Sequence, residues 1–287
     1  MISYDPKNWI RVLLDFPRSP VFRTLALDVL GAGAWSALVV WVEKDLIRVA
    51  VPLGPSFLSI LGIILGLLLV FRTNTAYDRW WEGRRLLGQL INISRGVSRL
   101  LAAQLGDGEQ GISRRRRYAA LLVAFPTRLA THLRRQRGTP GPHRPGELLT
   151  ALHAELENDF VEGRLVRESR LVLAPMLQGF DDVMGGCERI RNTPIPFSYS
   201  SYIKQFVVLY AVVMPFGLVK EFGYGTVIAS MFTFFATMGL ELLATEIEEP
   251  FGTDINDLPM EALASTISTN VEEVLGPGDG SVPPDPS

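Results

Sequence analysis

The chain has 287 residues, 47% of them hydrophobic, with a formal net charge of −2 and a mean hydropathy of +0.20. It is too apolar for an ordinary soluble domain and too polar for a chain wholly in lipid, so membrane spans should share it with a sizeable water-exposed portion. The near-neutral charge excludes a whole-chain nucleic-acid footprint. The single Cys187 excludes an intramolecular disulfide and a cysteine zinc site. His132, His143 and His153 are the only histidines, so no metal centre built on His and Cys, and no cofactor, is expected.

In chain order, residues 1–20 form a polar N-terminal segment that does not read as a secretory signal. Residues 24–42 are apolar apart from Asp28, and residues 50–71 are uncharged; these predict the first two transmembrane helices, within residues 21–75. No proline occurs between Pro55 and Pro126, and the first breaker is the Gly-rich run at 106–111. One helix can therefore run from Pro55 to about Leu105, roughly 75 Å at ~1.5 Å per residue, over twice the hydrocarbon thickness of a bilayer. Further amphipathic helices are predicted from Arg114 to about 137, over 146–158 and over 165–190, with a Pro/Gly-rich loop at 138–145. Together they make residues 76–199 a cytoplasmic helical bundle. Residues 206–219 and 222–240 are uncharged and predict the third and fourth spans, within 200–245. Residues 246–287 form a C-terminal segment, Gly/Pro/Asp-rich and disordered from about Leu275. No strand pattern is visible, so the expected class is all-α.

Orientation follows from the basic residues near the span ends. Lys7, Arg11, Arg18 and Arg23 precede the first span, and Arg72, Arg79, Arg84 and Arg85 follow the second. The first inter-span loop has only Lys44 and Arg48, and the last only Lys220. Both termini and the middle region are therefore expected in the cytoplasm.

The most distinctive passage is 71–84, FRTNTAYDRWWEGR. An enzyme could use Asp78 or Glu82 as a base beside Arg72 or Arg79, but no nucleophile or metal ligand accompanies them. The structural reading pairs Arg with carboxylate at helical spacing and anchors the Trp pair at the interface. Tyr77, Trp80 and Trp81 could otherwise box an organic ligand. Arg114–Arg117 could touch anionic lipid, or simply be the solvated start of a helix.

Three passages carry a family resemblance. Residues 71–84 resemble the stretch after the second transmembrane helix of bacterial bestrophin homologues. NTPIPFSY at 192–199 is similar to the family's Pro-rich approach to the third span, and EEPFGTDINDLP at 248–259 to its segment after the fourth. The resemblance implies a homopentamer of mostly helical subunits around a central ion pathway, with lipid and permeant ions as the other partners, in a bacterial inner membrane. From the residues themselves, a four-span subunit has too few helices to enclose a conduit, and closed symmetry would supply one. Gly62 and Gly66 allow close helix approach. Ile60, Ile64 and Leu68 recur at i, i+4, i+8 and would form a hydrophobic neck if this helix lines the axis; Ile63 and Leu67 take their place if it is turned by one residue. Ile195, between two prolines, is a chain turn or, by the resemblance, a cytoplasmic aperture.

In animal bestrophins the matching C-terminal segment binds calcium. The corresponding positions here are Glu246, Glu249, Asp254 and Asp257, but Ile255 and Asn256 interrupt the acidic run, so a polar cap is expected rather than a calcium clasp. The resulting expectation is an ion channel for small monovalent ions, with cations favoured through the bacterial resemblance. A secondary transporter or a non-conducting membrane scaffold is the alternative. Residues 24–71 and 206–245 show no inverted repeat, which weighs against a transporter.

Overall fold

The structure is a computed structural model that describes residues 20–47, 53–134 and 144–276. The predicted N-terminal segment, the core of the loop at 138–145 and the C-terminal tail lie outside the described residues. Eight α-helices are described: α1 Pro20–Trp41, α2 Pro55–Gln104, α3 Glu109–Arg134, α4 Arg144–Val161, α5 Arg170–Asn192, α6 Phe197–Phe222, α7 Gly225–Glu248 and α8 Met260–Leu275. A π-helical turn, Val42–Ile47, extends α1. No strand occurs among the described residues.

Four of the helices are long and apolar enough to cross a membrane: those of α1, α2, α6 and α7. Such apolar helices satisfy every backbone polar group internally, which lipid demands. The chain is a membrane protein. The longest of them, α2, runs unbroken for 50 residues, as the absence of proline predicts. It ends where Gly106 and its neighbours remove helix propensity, and Arg115 then caps it. The Arg115 guanidinium donates to the carbonyls of Ala102 (2.9 Å) and Leu105 (2.9 Å), filling acceptors left open at a helix C-terminus. Of the Arg114–Arg117 run, Arg114 pairs with Glu155 (2.9 Å) and Arg117 with the same carboxylate (3.0 Å), so three of the four arginines are bound within the chain.

The residues divide into two compact units. One holds Trp80–Thr193 together with the segment from Glu249 onward, and its core is continuous across α3, α4, α5, α8 and the C-terminal part of α2. Leu90, Val97 and Leu101 from α2 share one buried cluster with Tyr118, Leu122 and Leu129 from α3, and their intervals of four and seven residues put each set on one helix face. Phe125 and Phe180 pack edge to face at 5.4 Å between centroids. Tyr118 is fully buried and donates to Asp159 Oδ2 at 2.6 Å, while Arg164 Nε donates to Oδ1 at 2.7 Å. Burial, together with the Asp159 carboxylate, holds the Tyr118 phenol well above its ordinary value, so it remains a donor.

Two details of this unit differ from the sequence reading. The helix expected from 165 starts only at Arg170. Gly163, at a φ of 69°, ends the preceding helix, and Val166 is extended, so Leu165 becomes a buried loop residue instead. The C-terminal segment is not merely a tail: α8 packs on α3 through Met260, Ile267, Val271 and Leu275.

The other unit holds the residues up to Arg79 and Pro194–Glu248. Helix α1 lies against α7 and α6. Trp35 Nε1 donates to the Val212 carbonyl at 3.1 Å, and Ser36 and Ser230 hydroxyls meet at 3.2 Å in a buried contact. Helices α2 and α6 touch at Gly217, where an added Cβ would fall 2.3 Å from a Leu58 methyl. Gly223, at a φ of 56°, makes the turn from α6 to α7.

Phe180→Ala should cost about 3–5 kcal/mol of stability, read from chemical denaturation in detergent, because a fully buried ring leaves a cavity beside Phe125. Cys187 is buried and desolvation, reinforced by Glu188 and Glu82, pushes its thiol up to about 12. Iodoacetamide at pH 8 should leave it unmodified in the folded protein and alkylate it after denaturation.

Candidate functional site

Two faces of the membrane part of α2 carry different chemistry. One packs into its own unit: Leu58, Leu65, Leu69, Arg72 and Ala76 are all 5% exposed or less. The opposite face is apolar and open. Ile60 is 57% exposed, Ile63 71%, Leu67 56% and Phe71 54%, whereas Ile64 falls to 42%. Leu68 is partly buried and packs against the cluster of Leu65, Leu69, Ile203 and Val207. The expected stripe of Ile60, Ile64 and Leu68 therefore winds from the open face into the packed one. The stripe turned by one residue, Ile63 and Leu67, stays open and continues into Phe71. Of the two glycines, Gly62 sits under Tyr210, whose hydroxyl would be 3.1 Å from an added Cβ, and Gly66 has open space beside it.

On the packed face, Arg72 is completely buried, although it follows a stretch of apolar residues. Stripping a guanidinium of water costs several kcal/mol, which only close carboxylates and hydrogen bonds offset. Helix α7 brings both. Glu248 Oε2 lies 2.7 Å from Arg72 Nη2, and Glu241 Oε1 lies 3.7 Å from Nε. Thr245 accepts from Nη2 at 3.4 Å and donates to Glu241 Oε2 at 3.0 Å. Lys204 Nζ reaches Glu241 from the exposed side at 3.9 Å. Two helical turns beyond Arg72, Arg79 Nε donates to the backbone carbonyl of Glu248 at 3.0 Å. Arg72 Nη1 has no hydrogen-bond partner among the described residues, so the cluster is not fully satisfied.

The remaining predicted residues fall as follows. Ile195 is 8% exposed, held between Pro194 and Pro196 in the turn that precedes α6, and its backbone N–H donates to Glu248 Oε1 at 3.1 Å. Asp257 is 3% exposed and braces its own turn: Oδ2 accepts the Asp254 N–H at 2.6 Å, and its N–H donates to the Asp254 carbonyl at 3.1 Å. Glu249 and Asp254 are exposed, and Glu246 is partly buried. Among the described residues no group of three or more His, Cys, Asp or Glu side chains is arranged to hold a metal. Trp80 Nε1 donates to the Asn256 carbonyl at 3.0 Å and the ring packs on the core, while Tyr77 and Trp81 are each 51% exposed.

Glu82 pairs with Arg189 of α5, and Arg79 donates to the end of α7. Sequence reading does not reach Glu241 and Glu248, the partners of Arg72. Their signal is a matching interval: the carboxylates are seven apart on α7, as the arginines are on α2. Arg72→Ala should leave Glu241 and Glu248 buried without their cation and destabilise the fold by about 3–5 kcal/mol, read as a lowered melting temperature in detergent.

A family model described as "Bacterial/Fungal Bestrophin protein" matches residues 1–273. A voltage-dependent anion channel-forming protein of Synechocystis sp. is 31% identical, over 95% of this chain and 94% of its own length. A protein of the same name from Ralstonia nicotianae is 33% identical, over 96% and 95%. Those names describe channels rather than enzymes. Among solved structures, a bacterial bestrophin homologue from Klebsiella pneumoniae superposes with a TM-score of 0.81 at 28% identity, covering 88% of this chain and 98% of that one. With the passages at 71–84, 192–199 and 248–259 in place and the match running through nearly every helix, the chain belongs to the bacterial and fungal bestrophin family.

Proposed function

We propose that the chain is a subunit of a homopentameric ion channel in a bacterial inner membrane, with α2 lining a central pathway and both termini in the cytoplasm. The observation that carries the proposal is the open apolar stripe on α2, opposite the face that packs into its own unit. Taken alone, such a stripe suits lipid equally well. Family membership, and the channel names of the relatives, favour an axis instead. Repeated by symmetry, Ile63, Leu67 and Phe71 become stacked apolar rings that hold a neck able to gate by dewetting. Ile60 stands on the same open face, and Ile64 borders it. The packing of Leu68 within its own subunit argues for the register turned by one residue. Ile195 offers little side-chain surface, so the neck rather than this turn is the proposed apolar barrier.

The expected preference for cations finds no support in the relatives' names, which specify anions. We therefore propose that the permeant ions are small monovalent anions. Apolar rings themselves choose no sign.

Purified protein in planar bilayers should give unitary currents, and a salt gradient should move the reversal potential toward that of the anion. Leu67→Ala and Ile63→Ala should each raise ion flux several-fold by widening the neck, whereas Leu68→Ala should lower stability and leave flux near that of the parent. Background flux from the parent and from both neck variants in every salt would end the channel reading, and a cation reversal potential would end the anion one.

A further inference from the structure

We infer that Glu248 is a positioning residue for the pathway: one carboxylate ties the Pro194–Pro196 turn to the helix that carries the neck. This rests on the channel reading above. Oε2 of Glu248 holds the buried Arg72 guanidinium at 2.7 Å, and Oε1 accepts the Ile195 N–H at 3.1 Å. Arg72 is the residue after Phe71, so it belongs to the helical turn that presents the last of the open apolar residues. The Ile195 peptide lies between two prolines that themselves lack an N–H, so it supplies the donor available at the centre of that turn. Arg79 adds a second tie by donating to the Glu248 backbone carbonyl at 3.0 Å, which fixes the end of α7 against α2.

Glu241, two turns earlier on α7, holds the other side of Arg72 and is itself reached by Lys204 of α6. The charges therefore cannot part singly without leaving a buried ion unpaired, and such groups shift as a unit between discrete arrangements rather than by gradual stretching. A movement of the Ile195 turn is thereby passed to α2 at Arg72, and from there to the rings formed by Phe71 and Leu67. Glu248 lies outside the conducting surface and acts on whether the pathway is open, not on how fast ions cross an open one.

Hydrogen exchange of the segment containing the Ile195 amide reads the tie without any current. In the assembled parent protein this amide should be protected. Glu248→Ala should speed its exchange at least about tenfold, and Arg72→Lys should also speed it, although Arg72 does not bond to Ile195. Glu248→Asp, which keeps the charge on a side chain one methylene shorter, should give the same acceleration and serves if the alanine variant does not assemble. In single-channel records these variants should change open probability several-fold, with unitary conductance and reversal potential as in the parent. The Arg72→Lys/Glu248→Asp double variant should shift open probability no more than the larger single effect. Parent-like exchange at Ile195 in Arg72→Lys would overturn the inference, as would an altered unitary conductance or independent, multiplying effects in the double variant. A parent protein without currents would sink the channel reading, and the exchange measurements would still judge the tie by themselves.

Discussion

A guanidinium sealed from water at Arg72 governs the arrangement of the membrane helices around it. The desolvation of that ion is large enough that α2 and α7 have little choice of register. Glu241, Thr245 and Glu248 must meet Arg72 within a few ångströms, and they do so from one face of α7. The same register sets Arg79 against the last carbonyl of α7. Once it is fixed, so is the rotation of α2: with Arg72, Leu65 and Leu69 inward, Ile63, Leu67 and Phe71 must face out. A polar contact thus decides which apolar residues are available to a pathway.

The unit that contains the rest of α2 is held together on other terms. Its core is aliphatic and aromatic, spread over five helices, and its buried charges are few and closely bonded. Asp159 takes a phenol, a guanidinium and two backbone N–H groups on its carbonyl. Arg115 is spent on the end of α2. In each case a charged group is surrounded by specific donors or acceptors within the fold. Trp80 and Asp257 are likewise spent, the one on core packing and the other on its own turn.

The apolar stripe and the ion cluster stand one residue apart, at Phe71 and Arg72. A neck of bulky apolar side chains blocks ions through the cost of dehydration, with no preference for sign. In the proposed channel, selectivity would therefore arise elsewhere along the pathway, from groups that present charge or dipoles to the ion. The cluster around Arg72 is too deeply buried for that, and the role inferred for it is mechanical.

Much of the fold was legible in the residues alone. Long runs with at most one charge mark the four helices apolar enough to cross a membrane, because charged side chains are costly in lipid. The proline-free interval from Pro55 predicted a helix of 50 residues, since only proline or clustered glycine would break it. The family could be read from three short passages. Other features were not legible. Periodicity shows that α2 has an apolar face but not which residues of it remain open, because nearly every position from 57 to 71 is apolar, and only packing against α6 and α7 separates Leu68 from Leu67. Helix α8 is not legible locally, because its Met260, Ile267, Val271 and Leu275 sit in a polar, acidic segment and gain meaning only against α3. The partners of Arg72 lie some 170 residues away. Local composition determines which segments are helical and which must meet lipid; the pairing of charges across that distance depends on burial, and burial exists only once the chain has folded.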